Sequence, residues 1–191
     1  MTAILGYIKD MLPSMAMALP FIILSRVIYH KIWKSKKLYM FHEIGVILFL
    51  LFMTAVFSQT ILTFLYTGPA VNRSFATVNL VPFNVFQETY YAVTELHFWQ
   101  PLFINFLGNI CIFIPIGFMV PLLWSRFNRL WKVALIGFSI SLFIETTQLT
   151  QARSSDIDDL WLNTVGSMLG YGSYYFINKY LPHIGRACKK A

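Results

Sequence analysis

The chain has 191 residues, 57% of them hydrophobic and only 12% charged, against roughly 25% charged in soluble globular domains, so water is not its main solvent. A net charge of +7 does not mark a nucleic-acid binder, because the basic residues fall where apolar stretches end and form no single stripe. Those stretches take up most of residues 1–191, which therefore read as one membrane domain without internal repeats or a separate soluble unit.

A hydrocarbon core of about 30 Å takes about 20 apolar residues per helix. Five such stretches occur, roughly 11–30, 43–66, 101–124, 133–151 and 159–178, and they predict an all-α integral membrane protein of about five transmembrane helices. Arg26, Lys31, Lys34, Lys36 and Lys37 follow the first stretch; Arg126, Arg129 and Lys132 join the third to the fourth; Lys179, Arg186, Lys189 and Lys190 follow the fifth. Only Lys9, Arg73 and Arg153 remain for the other side. Positive residues are retained in the cytoplasm, so the amino terminus, the 67–100 loop and the 152–158 loop are expected outside and the carboxyl terminus inside. Ala16-Met17-Ala18 has the small-residue look of a signal-peptide cleavage site, but Lys9 and Asp10 interrupt the apolar run ahead of it. Cys111 in mid-span and Cys188 in the tail form neither a disulfide pattern nor a zinc pattern.

The long outer loop is rich in aromatic residues between Phe86 and Trp99, mixed with Gln87, Glu88, Glu95 and His97 and bounded by Pro82 and Pro101. Tyr90, Tyr91, Phe98 and Trp99 are types favoured at headgroup level, which predicts an interfacial helix or lid. In the third stretch Asn105 and Asn109 are spaced i, i+4, and Pro115 removes a backbone donor beside Gly117, so a kink is expected there. The fourth carries Glu145, with Ser141 and Gln148 on its face. Asp156, Asp159, Asn163, Gly166 and Gly170 recur at helical spacing in the fifth. At 1.5 Å per residue Glu145 lies about 10 Å, Asn109 roughly 12 Å and Asn163 roughly 6 Å from the outer ends of their segments. The three stripes are expected to face one another around a polar cavity open to the outer leaflet.

Plainer readings stand beside this one. Asn105 and Asn109 equally fit interhelical hydrogen bonding, and Gly166-x-x-x-Gly170 fits close packing better than ligand contact. Ser155 followed by Asp158 fits a capping box, and Asp156 and Asp158 suit a helix start. Glu145 differs, because an ionisable group in mid-bilayer costs at least ~2.5 kcal/mol and asks for a partner or a task. Arg153 is close enough in sequence to pair with Glu145, Asp156 or Asp159.

These residues carry a resemblance. Asn79-Leu80-Val81-Pro82-Phe83, Asn109 to Phe118 with its Pro115-Ile116-Gly117, Glu145-Thr146-Thr147-Gln148, Asp156-Ile157-Asp158-Asp159 and Asn163-Thr164-Val165-Gly166 with Gly170 together resemble the VanZ family over about residues 77–175. Its founding member is associated with low-level resistance to the lipoglycopeptide teicoplanin. The family often has Gly-Arg before the acidic cluster, where this chain has Ala152-Arg153. The resemblance implies a bacterial, Gram-positive cell membrane and a glycopeptide-resistance context, and brings no reaction with it. It also marks Asn109, Glu145, Gln148, Asp156, Asp159 and Asn163, the residues of the polar stripes.

The first functional expectation is a non-catalytic protein that binds a lipid or cell-wall precursor headgroup through Asn105, Asn109, Glu145, Gln148, Arg153, Asp156, Asp159 and Asn163. Asn79, Pro82 and Phe83 supply the loop motif, and a lipoglycopeptide is a further candidate partner. No cofactor or metal is expected under that reading, and oligomeric state stays open. The alternative is a membrane-embedded enzyme acting on a lipid or polyprenyl headgroup, with Glu145, Asp156 and Asp159 as acid and base or as oxygen ligands to a divalent cation such as Mg²⁺. A transporter ranks third, since five helices show no inverted repeat halves.

Overall fold

The computed structural model describes residues 2–32, 40–60, 78–150 and 155–182. In chain order these form α1 (Thr2–Ile32), α2 (Met40–Thr60), β1 (Val78–Asn79), α3 (Asn84–Thr94), α4 (Leu107–Leu123), α5 (Leu130–Thr150), β2 (Ser155–Asp156) and α6 (Ile157–Tyr180). Helix α4 is entered through a π-turn at Leu102–Phe106 and runs on through Pro115 and Pro121. A 3-10 turn at Ser125–Phe127 follows it, leading into α5.

Among the described residues four helical segments are long and apolar enough to cross a bilayer, Lys9–Ile32, Met40–Thr60, Leu102–Leu123 and Leu130–Leu149. The chain is thus a multi-pass helical membrane protein. Helix α6, expected as a fifth span, has 24 residues and so about 36 Å of length, but its apolar content falls short of the other four. Its position explains the difference. α6 packs most extensively of all on α4, and then on α5. Leu162, Ser167 and Tyr174 are at most 1% exposed, so these side chains face protein rather than solvent or lipid. The second stretch, expected over 43–66, is helical over Met40–Thr60, and 61–66 lie outside the described residues.

Small residues let α4 and α6 meet backbone to backbone. A Cβ at Gly117 would overlap the Ser167 carbonyl, one at Gly166 the Ile110 carbonyl, and one at Gly170 the Ile114 carbonyl. Gly137 of α5 faces the Ser167 hydroxymethyl group in the same way. The Gly166-x-x-x-Gly170 pair is therefore a packing seam, the commoner use of that spacing between membrane helices. A cluster of Val56, Phe113, Ile116, Val120 and Ile144 fills the space between α2, α4 and α5.

Helix α1 packs on α2, and an ion-pair cluster ties the two together. Glu43 accepts from Arg26 Nε at 2.9 Å and Nη2 at 3.0 Å, and His30 Nε2 lies 3.0 Å from its Oε1. The forked geometry of this pair is the stronger kind of charge-assisted contact. Glu43→Ala is expected to lower stability by roughly 2 kcal/mol, because it strands a part-buried guanidinium. Denaturation with SDS in mixed micelles measures it.

Candidate functional site

At the end of the bundle opposite the basic Ser125–Phe127 turn, the start of α4, the end of α5 and the start of α6 come together under the 78–85 segment. The first tie is a two-residue parallel pairing in which Val78 faces Ser155 and Asn79 faces Asp156. Asn79 Nδ2 donates to both carboxylate oxygens of Asp156, at 3.2 and 3.1 Å, and its own Oδ1 accepts from the Val81 N–H at 3.1 Å. The amide thus turns the chain and clamps it to α6 at once.

Asp156 is the N-cap of α6, its Oδ1 accepting from the Asp158 N–H at 2.9 Å. The cap expected at Ser155 thus falls one residue on, and it is a single N-cap bond rather than a capping box, because the extended backbone at Asp156, φ −125° and ψ 125°, lets its side chain turn back on the first turn while its own N–H goes to Glu145. Asp158, for which capping or solvation is one of the readings its position allows, is completely buried. Its Oδ1 accepts from the Phe83 N–H at 2.6 Å and Trp161 Nε1 at 2.7 Å, and its Oδ2 from the Val85 N–H at 2.7 Å. Phe83 sits in the left-handed region at φ 66°, a conformation that costs an L-residue about 1–2 kcal/mol. The turn that presents its N–H to Asp158 is held against that cost.

The polar stripes do meet. Glu145 is 4% exposed and its Oε2 accepts from the Asp156 N–H at 3.2 Å. Asn109 Nδ2 donates to Asp159 Oδ1 and, at 2.9 Å, to the Asn105 carbonyl. Asn163 Nδ2 donates to Ser141 Oγ at 2.9 Å, and Ser141 Oγ donates to the Asp159 carbonyl at 3.4 Å. Gln148 is buried on the Glu145 face. Among the described residues Asn105 joins only through its backbone, its side chain being exposed, as is that of Pro82. Arg153 lies outside the described residues.

The result is an acidic site: Asp159 feels the charges of Glu145, Asp156 and Asp158. Among the described residues no three His, Cys, Asp or Glu side chains are gathered as a metal-binding group, and much of the acids' oxygen capacity is turned to N–H donors. One buried acceptor, Asn163 Oδ1, has no hydrogen-bond partner among the described residues.

Beside this network runs an apolar groove of about 510 Å³ between α3 and the π-turn, walled by Phe86, Tyr90, Val93, Leu102 and Phe106. The two share a wall. The Phe86 ring stacks on Trp161 at 5.6 Å between centroids and tilts against Phe106 at 5.3 Å, while the Trp161 indole N–H reaches Asp158. The aromatic loop predicted over 86–99 thus supplies a helix, α3, whose Phe86 joins the groove to the acidic end.

The family model described as VanZ/LLP1 matches residues 44–178. The chain belongs to the VanZ/LLP1 family. The match includes most of α2 as well as the segment whose motifs carry the resemblance. No curated protein and no solved structure matches the chain. In this VanZ/LLP1 protein Trp161 also belongs to the site, its one sequence signal being an indole one turn after Asp158, and Asp158 reaches well beyond its own helix turn. The backbone N–H groups of Phe83 and Val85 carry no sequence signal at all.

Proposed function

We propose that this VanZ/LLP1 protein is a five-span protein of the bacterial cell membrane, amino terminus outside, that holds the headgroup of a lipid or cell-wall precursor at its acidic end and thereby contributes to glycopeptide resistance of the teicoplanin type. The observation that carries the reading is the shared wall: the Phe86 ring lines the apolar groove and stacks on Trp161, whose indole is tied through Asp158 to the acidic end that holds Glu145, Asp156 and Asp159. An amphiphile needs both, an apolar slot for its chain and convergent polar groups for its head. With α6 as the fifth span, the basic clusters fall on one side and the acidic end on the other, which by the positive-inside rule is the outside. Tyr90 and Tyr91, 70% and 57% exposed, then lie where aromatic residues favour headgroup level.

The chemistry of the site sets the kind of head it takes. Glu145, Asp156 and Asp159 are acceptors, so amine and hydroxyl donors fit better than phosphate oxygens. Asn109 and Asn163 provide the neutral contacts, and a guest hydroxyl on Asn163 Oδ1 would satisfy a buried acceptor whose neglect costs about 1–3 kcal/mol. The protein binds without changing covalent bonds in its guest.

Glu145→Gln tests this. The amide keeps an acceptor for the Asp156 N–H, so folding is expected to survive, while removal of the charge is expected to lower co-purified lipid or precursor by about tenfold and to abolish the resistance contribution. Unchanged retention and unchanged resistance in a normally folded variant would sink the binding reading. A chemically altered envelope lipid that depends on Glu145 would replace it with an enzyme.

A further inference from the structure

A second pocket, of about 450 Å³, lies at the opposite end of the bundle between α1, α2 and the Ser125–Phe127 turn. Its polar lining is Arg26, His42, Ser125 and Arg126, and Val46 and Leu123 form apolar walls. We propose that this pocket binds a phosphoryl anion, gripped between the guanidinium groups of Arg26 and Arg126.

Arg26 is held in place from two sides. Its Nε and Nη2 are fixed by Glu43, and its guanidinium lies 4.7 Å from the Tyr29 ring centroid. A guanidinium has five N–H donors, so two bonds to Glu43 leave donors for a second acceptor. Glu43 does not cancel the field of the pocket, because one carboxylate offsets one guanidinium and Arg126 brings a further full charge. Arg126 is exposed, with its guanidinium 4.7 Å from the Phe127 ring centroid. One rigid, half-used guanidinium and one accessible guanidinium across a pocket match the forked geometry of phosphate oxygens. The buried Val46 and Leu123 give the pocket an apolar floor of the sort a headgroup with an acyl chain would use, and basic pockets between membrane helices bind anionic headgroups. The same phosphoryl chemistry is presented by an anionic phospholipid and by free phosphate.

The full chain, purified in a neutral detergent, separates the sources. Native mass spectrometry with dioleoylphosphatidylglycerol is expected to show retained lipid, and with dioleoylphosphatidylcholine at least about tenfold less, because the choline cation opposes the guanidinium pair. Arg126→Gln is expected to cut retention of the anionic lipid by about tenfold, the loss of one charge-assisted contact. Arg129→Gln removes an equal charge from the same connection, outside the pocket lining, and is expected to leave retention within about twofold. Displacement of the lipid by millimolar inorganic phosphate, or a phosphate-induced rise in thermal midpoint lost in Arg126→Gln, marks the same site filled from the soluble source. Equal losses from the Arg126 and Arg129 variants would reduce the effect to general surface charge and overturn the proposal. Retention unchanged in Arg126→Gln, or no response to either phosphatidylglycerol or phosphate, overturns it as well.

Discussion

Asp158→Ala is expected to cost about 3–5 kcal/mol and to release the turn around Phe83 and Val85 from α6, while Asn79 stays tied to Asp156. The cost follows from what the carboxylate does. It is fully buried and accepts from two backbone amides and an indole, and each buried donor left without an acceptor costs about 1–3 kcal/mol. Water reaching part of the opened end lowers the simple sum, which leaves a loss in the range measured for breaking buried charged contacts. Asp158→Asn is expected to cost about half as much, because one acceptor oxygen survives while the new amide faces donors. SDS titration in mixed micelles measures both variants, and amide hydrogen exchange at Phe83 and Val85 should rise with the loss. A stability change below about 0.5 kcal/mol in Asp158→Ala, the ordinary range for surface positions, would show that the clasp contributes nothing to the fold. Asp158→Ala should also open the wall of the apolar groove, since Phe86, directly after Val85, loses its seat on Trp161.

Gly117→Ala comes next in expected size, at about 3 kcal/mol or somewhat more. The added methyl would occupy the space of the Ser167 carbonyl, and a helix carbonyl cannot rotate aside as a flexible side chain can. α4 and α6 would have to separate, loosening the contacts of Gly166 and Gly170 along the same seam. Gly172→Ala is the internal control. No described residue lies within 4 Å of a Cβ placed there, so that variant should gain up to about 1 kcal/mol from helix propensity. The contrast between two identical substitutions isolates the seam, and equal effects at both positions would count against it.

What was legible in the sequence lay within single elements. Apolar runs place the helices, and the i, i+4 and i, i+3 spacings of Ser141, Glu145 and Gln148 and of Asn105 and Asn109 place polar residues on faces that do meet Asp159 and Asn163. Pairings across the chain were not legible. Asp158 looks like any acid in a first turn, and its partners stand 73 and 75 residues upstream as backbone N–H groups that every residue type except proline has. The left-handed turn at Phe83 is equally silent, since phenylalanine has no preference for positive φ. Arg26 reads as a marker of orientation because it follows an apolar run; its partner Glu43 is across the α1–α2 connection, and no periodicity links them. Hydropathy underrates α6 for a related reason: the residues that lower its score, Asp158, Asn163 and Ser167 among them, are buried against its neighbours.

The Asp158 clasp has a consequence for how the chain is made. Residues 78–85 leave the ribosome well before residue 158, and at about 5–20 residues per second an interval of 73 to 75 residues lasts roughly 4–15 s. Throughout that time the amides of Phe83 and Val85 lack the Asp158 carboxylate, and Phe83 and Phe86 lack the Trp161 indole. Closure waits for the final helix to be delivered. A nascent chain halted before residue 155 would carry the 78–85 turn and the Phe83 and Phe86 rings undocked.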